Sequence, residues 1–331
     1  MAERLAVHVL THDSLRYLPA CLSGISRQEH CPDRILFIDC ASTDGTVEWL
    51  KSHQADDPPF DLLLLPDNRG YAGGHNAGLR TGDEEFVQLL NPDVRLQPAF
   101  LGEALKTLER HGRAGAVTGK LLRADSSLHP LPGPVLDSTG IIMTRSQRHL
   151  DRGAGQPDRG QYDTEEEVFG ASGAAPLYRR AMLQDVAVLG EVFDEIFFAY
   201  REDADLAWRA RLLGWSAFYT PRACAAHRRR VRPGNRRTLP PEINRFSVRN
   251  RFLLRIKNQT ASNLFRTLFP ALLRDLEVIG YVLLRERSSL PGLVDVLRAL
   301  RKTLAKRHQI MSRRCASAWD VDRWFRPAPS A

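Results

Sequence analysis

Apolar residues fall along the first hundred positions in short runs separated by polar turns. Residues 5–11, Leu-Ala-Val-His-Val-Leu-Thr, form one run and 34–39, Arg-Ile-Leu-Phe-Ile-Asp, a second; 62–65 and 86–90 supply two more. Runs this short and this apolar predict strands covered on both faces. Between them the spacing becomes helical, at 15–25 with Asp13 or Ser14 as N-cap, and at 47–53 behind the turn Ser42-Thr-Asp-Gly-Thr46. Strand–helix alternation predicts an α/β fold with a mostly parallel sheet flanked by helices. Residues 123–168 break the rhythm: rich in Gly, Pro, Asp and Arg, with one short strand at 141–144, they predict a long irregular segment, either a lid over the ligand side or a disordered excursion. Residues 176–190 predict a helix with Arg179 and Arg180 near its start. Helical spacing then governs the C-terminal third, through Arg245, Arg249, Phe252 and Ile256 and over 264–285 and 293–308.

Charge divides the chain in two. The net charge of +8 over 331 residues conceals 23 Lys/Arg and 32 Asp/Glu in residues 1–227, against 24 Lys/Arg and 7 Asp/Glu in 228–331. An acidic body of net −9 thus precedes a basic part of net +17, which predicts a meeting with an anionic surface. The alternative is a helical extension packed on the body with its arginines in solvent. Five scattered cysteines without a Cys-x-x-Cys pair exclude a disulfide framework and a cysteine zinc site, and predict a reducing compartment. The opening residues lack the apolar core of a secretion signal, and no apolar run approaches the ~18 residues of a spanning helix.

In sheets of this kind ligands bind at the carboxyl ends of the strands, and chemically capable residues gather there. Thr11, His12 and Asp13 follow the first strand; Asp39 ends the second, followed by Ala41, Ser42 and Asp44. Each is also what an ordinary turn uses. Asn68-Arg-Gly-Tyr-Ala-Gly-Gly-His-Asn-Ala-Gly78 has four glycines in nine residues, which lets backbone approach a ligand closely, with Asn76 predicted to open a helix toward phosphate. It fits neither the Rossmann fingerprint nor a Walker loop, and a flexible surface loop is the other reading. Asn91-Pro-Asp93 ends the fourth strand with a carboxylate suited to bridging a cation to a diphosphate. Glu202, Asp203 and Asp205 crowd the start of a helix that follows an aromatic run. The helix dipole alone favours acids there.

Taken in order, these pieces resemble family 2 glycosyltransferases of the A-type (GT-A) fold, and most closely their bacterial rhamnosyltransferase-like branch. The resemblance rests on Thr11, Asp39-Cys-Ala-Ser-Thr-Asp-Gly45, the 68–78 stretch, Leu90-Asn-Pro-Asp93, Gly170-Ala-Ser-Gly-Ala174 with Arg179-Arg180, and Phe198-Ala-Tyr-Arg-Glu-Asp-Ala-Asp205, and covers roughly residues 5–230. Cys40 and His12-Asp13 depart from the residues usual at their positions, and Asn91 stands where many relatives have a further aspartate.

The resemblance implies a catalytic domain at 1–230, with a nucleotide-sugar half to about 95 and an acceptor half beyond it, followed by a basic helical extension at 231–331. It implies nucleotide-sugar binding by Thr11, Asp39, Ala41, Asn68, Gly70, Gly73, Asn76 and Asn91, and a Mg²⁺ or Mn²⁺ ion held by Asp93 and His227. Asp203 would be the base that activates the acceptor hydroxyl, with Glu202 and Asp205 in support. The expected reaction is inverting transfer of a sugar, rhamnose foremost, to a saccharide or lipid-linked saccharide in cell-surface polysaccharide synthesis. The expected location is cytoplasmic, at the inner membrane face. A nucleotidyltransferase on a similar sheet would want a basic glycine-rich loop after the first strand, where Thr11-His-Asp-Ser14 stands. Nucleic-acid binding by the tail lacks any reader motif.

Overall fold

A computed structural model, which describes residues 4–229 and 240–327, turns the short apolar runs into strands. The chain alternates β1 (Leu5–Thr11), α1 (Leu18–Ser26), β2 (Arg34–Cys40), α2 (Thr46–His53), β3 (Asp61–Leu65), α3 (Gly70–Leu79) and β4 (Phe86–Leu90). β1 lies parallel between β2 and β4, and β3 extends the sheet beyond β2. Every residue of β4 and nearly every residue of β1 is buried, as two-sided cover demands.

The chain continues through β5 (Val94–Leu96), α4 (Phe100–Arg110), β6 (Ala114–Arg123), β7 (Leu136–Ser138), β8 (Ile141–Thr144), β9 (His149–Asp151), β10 (Glu166–Val168), β11 (Leu177–Arg179), α5 (Arg180–Val186), α6 (Glu202–Leu212) and β12 (Ser216–His227). The strand order is β10-β12-β6-β11-β4-β1-β2-β3, with β5 beside β12 and β7 beside β6. β11 runs antiparallel to both β4 and β6 and so joins the parallel half to the rest. The result is the expected mixed sheet flanked by helices. On α4, Phe100, Leu101, Ala104, Leu105 and Leu108 turn one apolar stripe into the core.

Two sequence expectations fail here. Residues 123–168 carry the expected strand at 141–144 as β8, but they are not otherwise irregular throughout: β7, β9 and β10 are added, and Leu136, Asp137, Ser138 and Thr139 are fully buried. Three-residue strands are too short for alternation to show, and a buried stretch this polar does not announce itself as core. Residues 176–190 are a strand and then a short helix, because Leu177–Arg179 completes the sheet before α5 begins.

The C-terminal helices α7 (Pro241–Asn258), α8 (Ala261–Arg285), α9 (Leu290–Ser312) and α10 (Ala318–Asp322) precede β13 (Phe325–Arg326). β13 pairs with β8, which with β9 makes a second, three-stranded sheet. Leu253, Leu254, Ile310, Val321 and Phe325 share a core with Ala204 and Trp208 of α6. Buried ion pairs fasten the same junction: Lys257 Nζ donates to Asp194 at 2.5 Å and Asp205 at 2.9 Å, and Lys306 Nζ donates to Asp194 at 2.6 Å. Arg230 and the expected domain boundary at 230 lie outside the described residues. Among the described residues no helix is long and apolar enough to cross a membrane.

Candidate active site

Two cavities meet at the carboxyl ends of the central strands. The smaller, about 260 Å³, is lined by Thr11, His12, Cys40, Asn68, Gly70 and Phe198, among others. The larger, about 910 Å³, reaches from Glu202 and Asp203 past Asp151 and His227 to residues of α7 and α8. Tyr71, Asn91 and Asp93 line both. A ligand spanning the junction would meet Asp93 on one side and Asp203 on the other. The larger cleft is not confined to residues before 230, since Asn244, Val248, Arg251, Arg274 and Tyr281 also line it.

Thr11, Asn68, Gly70 and Asn91 stand in the smaller cavity as expected. Gly70 opens α3 with φ of +61°, and a Cβ there would come within 2.4 Å of the Phe198 carbonyl oxygen, so only glycine fits. Asp39 is buried behind the wall. Its Oδ2 accepts from Thr11 Oγ1 at 2.8 Å and Ser42 Oγ at 2.5 Å, and its Oδ1 from Ser42 N at 2.9 Å. It therefore shapes the loop after β2 instead of presenting a free oxygen. Ala41, in that loop, is half-buried with φ of +54° and does not line the cavity.

Gly73 and Asn76 are displaced from their expected role because α3 begins at Gly70, not at Asn76. Gly73 is packed against the preceding Arg69 side chain. Asn76 is buried in the helix, where its Nδ2 donates to Phe193 O at 2.8 Å and its Oδ1 accepts from Phe193 N at 2.9 Å. It pins the 193–195 segment and touches neither cavity.

The three acids of α6 separate by direction. Successive helical residues point ~100° apart, so Asp203 and Asp205 face nearly opposite ways. Asp203 faces the larger cleft, with Oδ2 accepting from Gly173 N at 3.1 Å and Oδ1 from Ala204 N at 2.7 Å. Tyr71 Oη donates to Gly173 O at 2.8 Å and steadies that loop. Burial and the nearby charge of Asp151 push the Asp203 carboxyl up to about 6, against the two backbone donors and Arg229. Glu202 also lines the cleft; burial and the neighbouring Asp203 hold its carboxyl well above the usual range. Asp205 is fully buried away from both cavities, bonded to Arg209 and Lys257 at 2.9 Å and to Asn258 at 2.7 Å. Its expected supporting part in chemistry is thus replaced by a structural one.

The backbone before α6 is strained. Phe198, Tyr200 and Arg201 all have positive φ, a region that residues with side chains rarely adopt. Asn250 of α7 holds this turn: its Nδ2 lies 2.9 Å from Phe197 O, 3.0 Å from Ala199 O and 2.8 Å from Tyr200 O. No short-range signal in the sequence connects residue 250 to residue 200.

Asp93 and His227 do come together, 3.6 Å apart between Oδ1 and Nε2. The other ring nitrogen, Nδ1, lies 2.7 Å from Asp137 Oδ2, the carboxylate backing that orients metal-binding histidines. Burial opposes charge on His227, but Asp137 and Asp93 outweigh it and raise the imidazole above its ordinary range. Among the described residues no third histidine, cysteine or acid completes a cluster. Asp93 and His227 offer one carboxylate and one imidazole, a donor pair that would suit a divalent cation. Asp137, Asp151 and Arg229 went unrecognised in the sequence. Arg229 belongs to the basic run 228–230, yet it donates to Asp137 at 2.9 Å and Asp151 at 2.6 Å instead of lying in solvent.

The family model described as "Glycosyl transferase family 2" matches residues 6–186. The N-acetylglucosaminyl-diphospho-decaprenol L-rhamnosyltransferase of Mycobacterium tuberculosis is 29% identical over 243 residues, covering 69% of this chain and 76% of the relative. A poly-beta-1,6-N-acetyl-D-glucosamine synthase of Staphylococcus epidermidis is 24% identical over 61% of this chain and 44% of its own length. Among solved structures, S. aureus TarS 1-349 in complex with UDP-GlcNAc superposes with a TM-score of 0.57 at 17% identity, over 97% of this chain and 89% of that one; the chain spans 54% of a longer TarS chain. GalNAc-T7 with UDP, GalNAc and Mn²⁺ gives a TM-score of 0.60 at 10% identity, over 77% of this chain and 48% of that one. These likenesses establish the GT-A architecture. With a family model spanning more than half its length, the chain belongs to glycosyl transferase family 2.

Proposed function

We propose that this glycosyltransferase carries out inverting transfer of a sugar, with rhamnose the first to test, from a nucleoside-diphosphate donor to a lipid-linked saccharide at an anionic membrane face. The observation that carries the reading is Asp203: an enclosed carboxylate, raised to about 6, facing a cleft that joins the strand-end cavity at Asp93. The named relatives add support, since one is named for an N-acetylglucosaminyl-diphospho-decaprenol acceptor and another is a poly-beta-1,6-N-acetyl-D-glucosamine synthase.

In this reading the donor nucleotide occupies the smaller cavity, against Thr11, Asn68 and Gly70. The acceptor enters the larger cleft, where ionised Asp203 takes the hydroxyl proton as the oxygen attacks the anomeric carbon. Attack opposite the leaving diphosphate inverts that carbon. Asp93 and His227 would hold a divalent cation, which when bound supplies positive charge to the departing diphosphate. Glu202, kept protonated by burial and by Asp203, donates a hydrogen bond to the acceptor.

Replacing the base separates chemistry from binding. Asp203→Asn lowers turnover about 10²–10⁴-fold, followed as nucleoside diphosphate released from a panel of nucleotide-sugars, while nucleotide binding measured by thermal shift is retained. Near-normal turnover in this variant would remove Asp203 from the mechanism. Release of pyrophosphate instead of nucleoside diphosphate would replace glycosyl transfer with nucleotidyl transfer.

A further inference from the structure

The wall of the large cleft is rich in arginine. Arg148, which precedes β9, Arg251 of α7 and Arg274 of α8 all line it. Arg251 donates to Asp275 at 3.0 Å and to the Ser146 carbonyl at 3.1 Å, and Arg255 also pairs with Asp275. Arg274 pairs with Glu277 at 2.7 Å. Arg148 is half-buried, and its guanidinium makes no hydrogen bond or ion pair with any described residue. Three guanidinium groups, those of Arg251, Arg255 and Arg274, thus pair with the two carboxylates of Asp275 and Glu277, and Arg148 feels Glu277 only at longer range. A partly buried cation with no ion-pair partner is costly, and Arg148 faces an open cavity.

The surroundings narrow the anion that would fit. Val278, Tyr281 and Val282 continue the cleft wall along α8 from Arg274. The same helix exposes Phe265, Phe269, Leu272, Leu276 and Leu284 on its outside. One helix thus leads from a cationic wall to an apolar exterior. Guanidinium pairs bind phosphate bidentately, and an alkyl chain leaving such a phosphate would run beside Val278 and Val282.

We propose that Arg148 and Arg274 form a subsite for the phosphate groups of a lipid-phosphate acceptor, holding its saccharide toward Asp203. Burial and the repulsion of Arg274 outweigh the attraction of Glu277 and weaken the hold of Arg148 on its proton, and a bound phosphate would reverse that disadvantage. The inference rests on the proposed lipid-linked acceptor and names the part of it that this chain grips.

The test uses farnesyl diphosphate as probe, with farnesol, inorganic pyrophosphate and phosphatidylglycerol vesicles as comparisons. Binding is measured on the full chain in EDTA, so that metal-assisted binding of diphosphate at Asp93 is suppressed. The wild type is expected to bind farnesyl diphosphate at least tenfold more tightly than farnesol. Arg148→Gln/Arg274→Gln loses at least tenfold of that affinity, and Arg148→Lys/Arg274→Lys recovers part of it. Vesicle binding and nucleotide thermal shift stay as in the wild type. Equal affinity of the wild type for farnesyl diphosphate and farnesol overturns the subsite whether or not the variants fold. So does unchanged probe binding in the glutamine variant, or a matching loss on vesicles, which would make these arginines a headgroup contact. Farnesyl diphosphate binding no tighter than pyrophosphate overturns the lipid part. Failure of wild-type transfer to any lipid-linked acceptor, with these binding differences intact, would instead strike the underlying reading.

Discussion

Asp203 and Asp205 sit two positions apart on one helix with opposite fates, and environment decides which does chemistry. Asp205 is surrounded by Arg209, Lys257 and Asn258 and has no route to a ligand. Asp203 has two backbone donors, faces Asp151 across the cleft and lies at the edge of the larger cavity. A general base works only when ionised, and burial together with Asp151 raises this one to about 6. Turnover at limiting acceptor is therefore expected to climb about tenfold per pH unit from the acid side and to level above about pH 6. Asp151→Asn removes the repulsive charge and releases Arg229, so Asp203 ionises more readily and the acid limb moves to lower pH. The check is a pH–rate profile of both proteins. A limb that stays in place in Asp151→Asn would mean that a different group sets it.

At the scale of elements, the carboxylates proposed to be catalytic depend on a helix far along the chain. α7 supplies Asn250, whose amide holds three carbonyls of the positive-φ turn before α6. Such a turn persists only where its surroundings over-determine it. Asn250→Ala is expected to cost about 1–3 kcal/mol of stability through the carbonyls left unpaired. It should also lower kcat about 10–100-fold, because small displacements of a reacting group are expensive. Donor binding should change less than kcat, since Phe198 is the one residue of that turn lining the smaller cavity and the other lining residues come from 10–17, Cys40, 68–71 and 91–93. Urea melts with kcat and donor KM measured on the same variant test this, and a loss of stability with unchanged kcat would reduce Asn250 to packing. These dependences also mark what the sequence could and could not disclose. β1, β2 and β4 were legible because burial on both faces writes itself as a short, predominantly apolar run, interrupted here only by single polar residues such as His8 and Gln88. Asp93 and His227 were legible as a pair only through the resemblance, since 134 positions separate them. The start of α3 was misread because Gly70, Gly73 and Gly74 disfavour a helix locally. Tight packing secures it instead: a Cβ on Gly74 would fall 2.4 Å from Leu10, and one on Gly78 2.3 Å from Ile38. Asp137 and Asp151 were hidden because their partners His227 and Arg229 lie 90 and 78 positions further along the chain.

At the scale of the whole molecule, charge and apolar surface converge on the C-terminal helices. This third carries the net +17, and on it Phe265, Phe269, Leu284 and Leu297 are each at least 70% exposed. Isolated exposed apolar residues are ordinary, but a continuous row along a helix flanked by arginines marks an interaction surface. Two occupants compete: an anionic bilayer or a second copy of the chain. The excess of basic residues argues for the bilayer, because two such faces would repel each other. Binding to phosphatidylglycerol vesicles should fall as salt rises, each basic residue near the surface contributing about 1 kcal/mol. Phe265→Glu/Phe269→Glu leaves the fold untouched, as both rings already face solvent. It removes two apolar insertions worth about 1.5–3 kcal/mol each and should weaken vesicle binding at least about 10²-fold. Nucleotide thermal shift in the same variant should match the wild type. Co-sedimentation with vesicles at graded salt, run beside light scattering of the free protein, decides between the occupants. A dimer that dissociates in the variant, with vesicle binding absent from both proteins, would assign the face to self-association and leave the acceptor to arrive without membrane docking.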